Sequence, residues 1–223
     1  MSKKVFLSPS NQYDNVYAYG NTTEGVQCGK IADACKIALE RSGVDVMLMH
    51  DESMQTKCAE SNKFGADLHV PIHTNAFNGS VMGTRMFCYN TGKGMAACKA
   101  IFSRVAPLSP GTSENIQVNQ KLYEVRVPAA PTAYLECEFH DTVEGAKWIV
   151  ENTTAIGEAI AHGICDYFGV TFKEPEQPKP AKPVTTGTLY RVQVGAFAVR
   201  ENAEKMLARL KAAGFEGFIR EGK

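Results

Sequence analysis

The stretch "LHVPIHTNAFNG", residues 68–79, predicts a β-strand that runs out into a loop rich in Asn and Gly. It contains His69 and His73, two of the chain's five histidines, four positions apart. On a strand these side chains share a face but lie about 13 Å apart, because each residue advances the chain by about 3.3 Å. A single metal ion with bonds of about 2 Å cannot reach both. The spacing therefore argues against a metal pair, and we expect His69 to be hydrogen-bonded within or beside the sheet.

Strands and helices alternate on both sides of this stretch. Short apolar runs predict strands, and apolar residues at helical spacing predict helices. Strands are predicted at 4–9, 44–51, 67–73, 84–90, 121–127 and 132–139, and helices at 22–43, 54–64, 92–108 and 143–169, the last with a break near 152–154. This order predicts an α/β sheet covered by helices on both faces, with ligands at the carboxyl ends of the strands.

The composition of the 223-residue chain excludes several classes of partner. Its net charge is zero, which argues against a broad basic face for nucleic acid and against a polybasic membrane anchor. No apolar run approaches a signal-peptide core or a transmembrane span, so we expect a protein made in the cytoplasm without an export signal. Seven cysteines without a CxxC spacing predict reduced, buried side chains with no catalytic role.

The chain is predicted to have two modules. Residues 173–188, "KEPEQPKPAKPVTTGT", contain four prolines among charged residues, which excludes a helix or a central strand. They predict a linker with a reach of about 50 Å between residues 1–172 and residues 189–223. The second module predicts a small β-α-β piece, with strands in "YRVQVGAF" and "GFIRE" and an amphipathic helix between them.

Three acidic or imidazole side chains in the first module are candidates for hydrolytic chemistry. A catalytic zinc site needs about three His or carboxylate ligands and a nearby carboxylate that moves a proton. His73 ends a strand, Glu24 lies in the first turn of the first helix, and Glu136 lies in the apolar strand "YLECEF". Asn75, in the loop that follows His73, is placed to contact a substrate.

Four motifs together carry a family resemblance: "FLSPSNQ", "GNTTEGVQCGKIA", "ADLHVPIHTNA" and "AYLECEF", in this order. Over residues 4–170 the chain resembles the zinc-dependent N-acetylmuramoyl-L-alanine amidases of the amidase-3 family. The resemblance implies a six-stranded α/β sheet and hydrolysis of the amide between N-acetylmuramic acid and L-alanine in peptidoglycan. It also implies Zn²⁺ as cofactor, Glu24 and His73 as two of its ligands, and Glu136 as the catalytic carboxylate.

The first zinc ligand departs from the family pattern. The family has a His in an Asp-Pro-Gly-His motif, where this chain has Ser8-Pro9-Ser10-Asn11, so the resemblance aligns Asn11 with that ligand. An Asn carbonyl oxygen is a weak zinc donor, and His140, four residues after Glu136, is the alternative third ligand. His50 and His162 are expected to be structural.

The second module resembles the first half of a SPOR domain, a peptidoglycan-binding module. From Leu189 onward the chain has seven Lys or Arg and four Glu, a positive surplus that suits an anionic wall. Because the expected strands lack partners, we predict a homodimer through residues 189–223. The whole sequence thus predicts an endolysin-like amidase that acts on the cell wall after release. The alternative is a catalytically inactive protein that binds peptidoglycan.

Overall fold

The computed structural model describes residues 2–175, 192–212 and 214–221. The strands are β1 (Lys4–Pro9), β2 (Asp45–Leu48), β3 (Leu68–Asn75), β4 (Arg85–Cys88), β5 (Asn115–Val118) and β6 (Tyr134–Phe139). The helices are α1 (Glu24–Arg41), α2 (Met54–Phe64), α3 (Lys93–Val105), α4 (Tyr123–Arg126), α5 (Val143–Phe168) and α6 (Arg200–Ala212), with a 3₁₀ turn at Ala106–Leu108. The chain divides into two compact units, Met1–Pro175 and Glu176–Lys223.

The first unit is built on one six-stranded sheet with the order β2-β1-β3-β6-β4-β5. Strands β2, β1, β3 and β6 are parallel, whereas β4 pairs antiparallel with β6 and parallel with β5. The predicted α/β fold with six strands is therefore confirmed. Since β1, β3 and β6 are adjacent and parallel, the residues at their carboxyl ends meet at one edge of the sheet.

The two faces of the sheet have different chemistry. Helix α5 packs along both α1 and α3, and these three helices cover a face of apolar residues that includes Leu7, Ile72 and Leu135. The alternate residues of the strands point to the opposite face, under the shorter helices α2 and α4. Polar side chains are buried there, among them Ser8, His69 and His73. The candidate site belongs to this second, polar face.

The fifth strand is not the one predicted. Residues 121–127, "KLYEVRV", were expected to form a strand, but they contain the single-turn helix α4, and β5 lies earlier at Asn115–Val118. The turn is closed by the bond from the Arg126 N–H to the Leu122 carbonyl. Helical geometry directs Glu124 inward, where its carboxylate is buried against polar partners. The valines on either side favour a strand, but burial of the Glu124 carboxylate against its polar partners favours the helical turn.

Helix α5 is interrupted where the sequence predicts a break. Asn152 has φ −125° and ψ 17°, outside the helical range, and its side-chain amide donates to the Trp148 carbonyl at 2.7 Å. Such side-chain bonds to the preceding turn bend helices. All seven cysteines are free and buried, as expected.

The second unit contains the predicted helix, α6, but its described residues form no strand. The flanking strands expected at 190–197 and 217–221 are thus not formed where the structure describes them. A strand needs a hydrogen-bonded neighbour, and the described part of this unit offers none. Most of the predicted linker, 173–188, lies outside the described residues. Among the described helices, none is both long and apolar enough to span a membrane.

Candidate metal centre

The site is centred on His73, at the carboxyl end of β3, and Glu24, the first residue of α1. The His73 Nδ1 lies 2.9 Å from the Glu24 Oε1, and both side chains are buried, with exposures of 8% and 1%. The Asn15 amide donates to the other Glu24 oxygen at 2.7 Å. A carboxylate in the first turn is also favoured by the helix dipole. The structure thus brings together two residues that are 49 positions apart in the sequence.

Glu136 on β6 lies beside His73. The two residues are register partners, so their side chains share the polar face. The Glu136 Oε2 is buried without a hydrogen-bond partner. Burial raises the pKa of Glu136 to about 7, and the Glu24 charge acts in the same direction, while His73 and Arg85 oppose the rise. A carboxylate with a pKa near neutrality and an unused oxygen is suited to accept and return a proton.

The third ligand predicted from the sequence, Asn11, is directed elsewhere. Its side chain is exposed and its amide donates to the Glu52 carbonyl at 2.9 Å. The neighbouring Gln12 takes the expected place, with its Nε2 3.3 Å from the Glu24 Oε1 and 3.5 Å from the His73 Nδ1. The Ser10 N–H continues the β1 ladder by donating to Ile72 O, and the Ser10 hydroxyl accepts from the backbone N–H and the side-chain amide of Gln12, which holds Gln12 on the side of the site.

The alternative ligand, His140, has other partners. Its Nδ1 lies 2.9 Å from the Thr74 hydroxyl, and its ring stacks on Tyr17 with centroids 4.9 Å apart. Thr74 and His73 are consecutive on β3 and therefore point to opposite faces. The His140 N–H donates to the Asn75 carbonyl at 2.8 Å, which fixes the loop after β3. Asn75 itself lies at the end of β3, two residues beyond His73.

Glu124 was not predicted from the sequence, yet it connects both histidines of the opening motif. Its Oε1 lies 3.4 Å from the His69 Nε2, and its Oε2 lies 3.8 Å from the His73 Nε2. The Ser8 hydroxyl donates to Oε1 at 2.5 Å, and Ser61 contacts the other nitrogen of His69 at 3.0 Å. His69 is thus hydrogen-bonded beside the sheet, as expected, and the two histidines contact one carboxylate.

The charges of this network determine its protonation. Burial opposes a charge on His73, but the carboxylates of Glu124, Glu24 and Glu136 around the ring together outweigh it and raise the pKa of His73. Burial likewise opposes ionisation of Glu124, but its bonds with His69 and His73 lower its pKa to about 2. Burial also opposes ionisation of Glu24, but the bond and charge of His73 and the bonds from Asn15 and Ser10 together outweigh it and lower the pKa of Glu24. In the metal-free chain, therefore, a cationic His73 lies between two carboxylates.

Comparison with known proteins identifies the first unit. Residues 12–166, more than half of the chain, match the N-acetylmuramoyl-L-alanine amidase family. The chain belongs to this family. Residues 173–221 match the SPOR domain.

Individual relatives of this amidase-family chain are distant. It is 25% identical over 224 residues to the sporulation-specific N-acetylmuramoyl-L-alanine amidase of Bacillus subtilis, covering 97% of this chain and 84% of the relative. It is 22% identical over 227 residues to the N-acetylmuramoyl-L-alanine amidase CwlM of Bacillus licheniformis, with the same two coverages. Among solved structures, the catalytic domain of CwlV, an N-acetylmuramoyl-L-alanine amidase from Bacillus (Paenibacillus) polymyxa var. colistinus, superposes with a TM-score of 0.68 at 16% identity. That match covers 76% of this chain and 99% of CwlV, and it establishes a shared fold.

The side chains of this amidase-family member fit a divalent metal ion. The Glu24 carboxylate and the His73 imidazole lie in contact with each other. The Gln12 amide and the Ser10 hydroxyl lie beside them. Nitrogen and oxygen donors of this kind suit zinc. The partnerless oxygen of Glu136 beside them fits the carboxylate that such a site requires.

A second group of donor atoms lies deeper on the same face. One ligand atom each of Cys58, His69 and Glu124 lies within 4.8 Å of the others, and all three residues are buried. Their nitrogen, sulfur and oxygen atoms are also zinc donors in chemical type. The polar face of the amidase unit thus carries two adjacent sets of donors, which Glu124 connects.

Proposed function

We propose that this protein is a zinc-dependent N-acetylmuramoyl-L-alanine amidase, which hydrolyses the amide between N-acetylmuramic acid and L-alanine in peptidoglycan. One observation carries the proposal: a buried His73–Glu24 pair lies beside a carboxylate, Glu136, whose Oε2 has no partner. Membership of the amidase family supports the substrate class.

The metal would be held by Glu24 and His73, with Gln12 in place of Asn11 as the third protein donor. The Gln12 amide lies against both ligands, and an amide can present its oxygen where its nitrogen is assigned. Neutral amide oxygen is a weaker donor than the imidazole of the family pattern, so we expect weaker zinc binding than in amidases with a His at this place. Bound zinc would supply a Lewis acid for the scissile carbonyl.

Glu136 is the proposed general base and acid. Its raised pKa allows it to take a proton from the attacking water and to deliver that proton to the leaving nitrogen of L-alanine. Tyr134, two residues earlier on β6, stacks on the His73 ring with centroids 4.7 Å apart and limits its rotation. Asn75, at the end of β3, is the proposed substrate contact.

The SPOR match indicates how the amidase reaches its substrate. We propose that residues 173–221 bind peptidoglycan and hold the catalytic unit near the wall. The positive surplus from Leu189 onward suits this role. The biological setting that we propose is cell-wall lysis of the endolysin type.

The experiment is a digestion of purified peptidoglycan with the full chain. We expect new L-alanine amino groups without new reducing sugar ends, loss of this activity after EDTA treatment, and recovery with Zn²⁺. New reducing ends without free L-alanine amino groups would indicate a glycosidase. Binding to peptidoglycan without release of either group, in the zinc-supplemented protein, would favour the inactive wall-binding protein.

A further inference from the structure

Four polar side chains form one row across the polar face of the sheet. His73 on β3 is the register partner of Glu136 on β6. Arg85 on β4 is the register partner of Glu136 and also of Asn115, which lies on the edge strand β5. Register partners on neighbouring strands project from the same face, about 4.8 Å apart. The row therefore extends from the candidate metal ligand, past the proposed general base, to the far edge of the sheet.

Three members of this row have buried atoms without a partner. The Glu136 Oε2, the Arg85 Nε and the Asn115 Oδ1 are buried, and no described residue forms a hydrogen bond with any of them. The next acid along β6, Glu138, already accepts from the Gly83 N–H at 2.6 Å. A buried donor or acceptor without a partner is costly. The row is thus suited to a ligand that supplies an acceptor for Arg85 and a donor for Asn115.

This part of the face is open to a ligand, and Arg85 is held in position there. Arg85 and Asn115 are half-buried, and the main helix contacts of β4 and β5 are with α3, on the opposite, apolar face. The Arg85 Cζ lies 5.0 Å from the centroid of the Phe139 ring, a cation–π contact that limits rotation of the guanidinium. A planar guanidinium fixed in this way can bind a carboxylate through two parallel N–H donors.

We propose that Arg85 and Asn115 form a subsite for the peptide that is attached to N-acetylmuramic acid, and that Arg85 binds a carboxylate of the residue after L-alanine. This inference rests on the proposed amidase function. In that reaction Glu136 delivers a proton to the L-alanine nitrogen, so the leaving peptide must lie beside Glu136. His73 is the neighbour of Glu136 on one side of the row, and Arg85 is its neighbour on the other.

The chemistry of the substrate agrees with this direction. The lactyl carboxyl group of N-acetylmuramic acid is part of the scissile amide, so the free carboxylates of a muramyl peptide lie in its peptide. An extended peptide advances about 3.5 Å per residue, and Arg85 lies one strand spacing of about 4.8 Å beyond Glu136. The residue after L-alanine therefore brings its carboxylate to Arg85. The Asn115 Oδ1, one spacing further, can accept a peptide N–H.

An electrostatic effect of Arg85 on Glu136 is the competing assignment. The charge of Arg85 opposes the rise in the pKa of Glu136, so its loss would alter the general base whatever the peptide carries. A subsite predicts instead a loss that depends on the carboxylate of the substrate. Two substrates that differ only in this group therefore distinguish the two roles.

The test uses N-acetylmuramoyl-L-alanyl-D-glutamate and the same compound with both glutamate carboxylates amidated. With the zinc-loaded full chain we expect kcat/KM to be about 10–100-fold higher for the acid, the effect of one bidentate, charge-assisted pair. Arg85→Gln should remove most of this preference, mainly by raising KM for the acid. Arg85→Lys, which keeps the charge without the planar fork, should retain part of it. Asn115→Ala should raise KM for both substrates, because each has the peptide N–H.

Arg104→Gln is the matched control, because Arg104 lies on α3 and pairs with Asp166 at 2.7 Å. This variant should keep the wild-type preference for the acid. Equal kcat/KM for the two substrates in the wild type would overturn the proposal. So would an equal fall for both substrates in Arg85→Gln, which would assign Arg85 the electrostatic role.

Failure of the proposed function is recognised separately. If the wild type cleaves neither substrate, the amidase proposal fails, and the subsite is then tested by binding alone. An NMR titration with L-alanyl-D-glutamate and with its diamide should show tighter binding of the acid by the wild type and no such preference in Arg85→Gln. A wild type that binds both peptides equally would contradict the subsite, whether or not the chain is an amidase.

Discussion

His73 and Glu136 are register partners on the adjacent parallel strands β3 and β6, so their side chains leave the same face of the sheet side by side. Their partners differ, however. His73 contacts carboxylates through both nitrogens, whereas the Glu136 Oε2 has no partner. His73 is therefore held in place by its partners, whereas Glu136 has a carboxylate oxygen free to exchange a proton.

Because their partners differ, we expect replacement of Glu136 and replacement of His73 to have different effects on zinc binding and on activity. Glu136→Gln should lower amidase turnover by about 10²–10⁴-fold while zinc stays bound, because it removes a general base but no ligand. His73→Ala should lose the zinc and the activity together. Zinc content of the purified variants, measured beside L-alanine amino groups released from peptidoglycan, checks both outcomes. Equal loss of zinc in the two variants would contradict these roles.

The raised pKa of Glu136 predicts a pH-dependent stability difference in the metal-free protein. Folding raises this pKa from 4.5 to about 7, so between these values the folded state binds more protons than the unfolded state. Stability must then fall as the pH rises through this window. Glu136→Gln removes the titration, and it should be more stable than the wild type by about 3 kcal/mol at pH 8 but similar at pH 4. Denaturant unfolding of EDTA-treated protein at both pH values measures this difference, and a constant difference would refute it.

The third donor can be identified by exchanging two neighbouring residues. Gln12→Ala should weaken zinc binding and Gln12→His should strengthen it, since imidazole is the better zinc donor. Asn11→Ala and Asn11→His are matched controls, because Asn11 is exposed and contacts Glu52. Zinc titration against a chelator is the measurement. Stronger binding in Asn11→His with no effect of Gln12→His would restore the alignment inferred from the sequence, and an effect of His140→Ala alone would favour His140.

Packing of α1 against α5 depends on Gly157. A Cβ at this position would lie 2.6 Å from the Ala34 Cβ and from the Ile31 carbonyl, so Gly157→Ala should destabilise the protein by about 1–3 kcal/mol. Gly29, in α1, is the control: a Cβ there would meet His50 at an ordinary 3.5 Å. Gly29→Ala should be neutral or stabilising by up to about 1 kcal/mol, as helix propensity favours Ala. Thermal unfolding measures the stability of both variants. A Gly157→Ala variant as stable as the wild type would contradict this close packing of α1 against α5.

The second unit remains the basis of the dimer prediction. Its described residues expose apolar side chains, including Val192 (88%), Phe215 (64%) and Phe218 (78%), and form no sheet. Two copies could bury these side chains against each other. Sedimentation should therefore give a dimer for the full chain at micromolar concentration and a monomer for a chain that ends at Phe172. Monomers in both cases would contradict a dimer through residues 189–223.

Much of the fold follows from local pattern. The apolar strands β1, β3 and β6 and the helices α1, α2 and α5 lie close to their predicted places, since each combines one clear period with a recognisable stop. Even the interruption of α5 is visible as an Asn followed by two Thr residues. The proximity of Glu24, His73 and Glu136 could be expected because the resembling motifs stand in the family's order.

The remaining site residues depend on geometry that the sequence conceals. Glu124 lies in a segment with a strand-like pattern, and a single helical turn is too short to give a periodic signal. Gln12 lies one residue from Asn11, and both follow the end of β1, so their different hydrogen bonds, to Ser10 and to Glu52, decide which of them faces the site. A loop has no periodic pattern that separates two neighbouring amides, so the sequence alone does not favour Gln12 over Asn11.

The unequal covering of the sheet has a consequence for how the molecule opens. Three helices seal the apolar face, but over the polar face the four-residue helix α4 carries Glu124 on a single turn. Such thinly packed segments exchange their amide hydrogens by local opening at a free-energy cost well below that of global unfolding. A metal held by Glu24 and His73, at a hundred times its dissociation constant, adds at most about 2.7 kcal/mol against this opening, since none of its ligands lies on α4. Metal supply would then govern not only turnover but also how long the chain survives proteases, with cleavage starting beside α4.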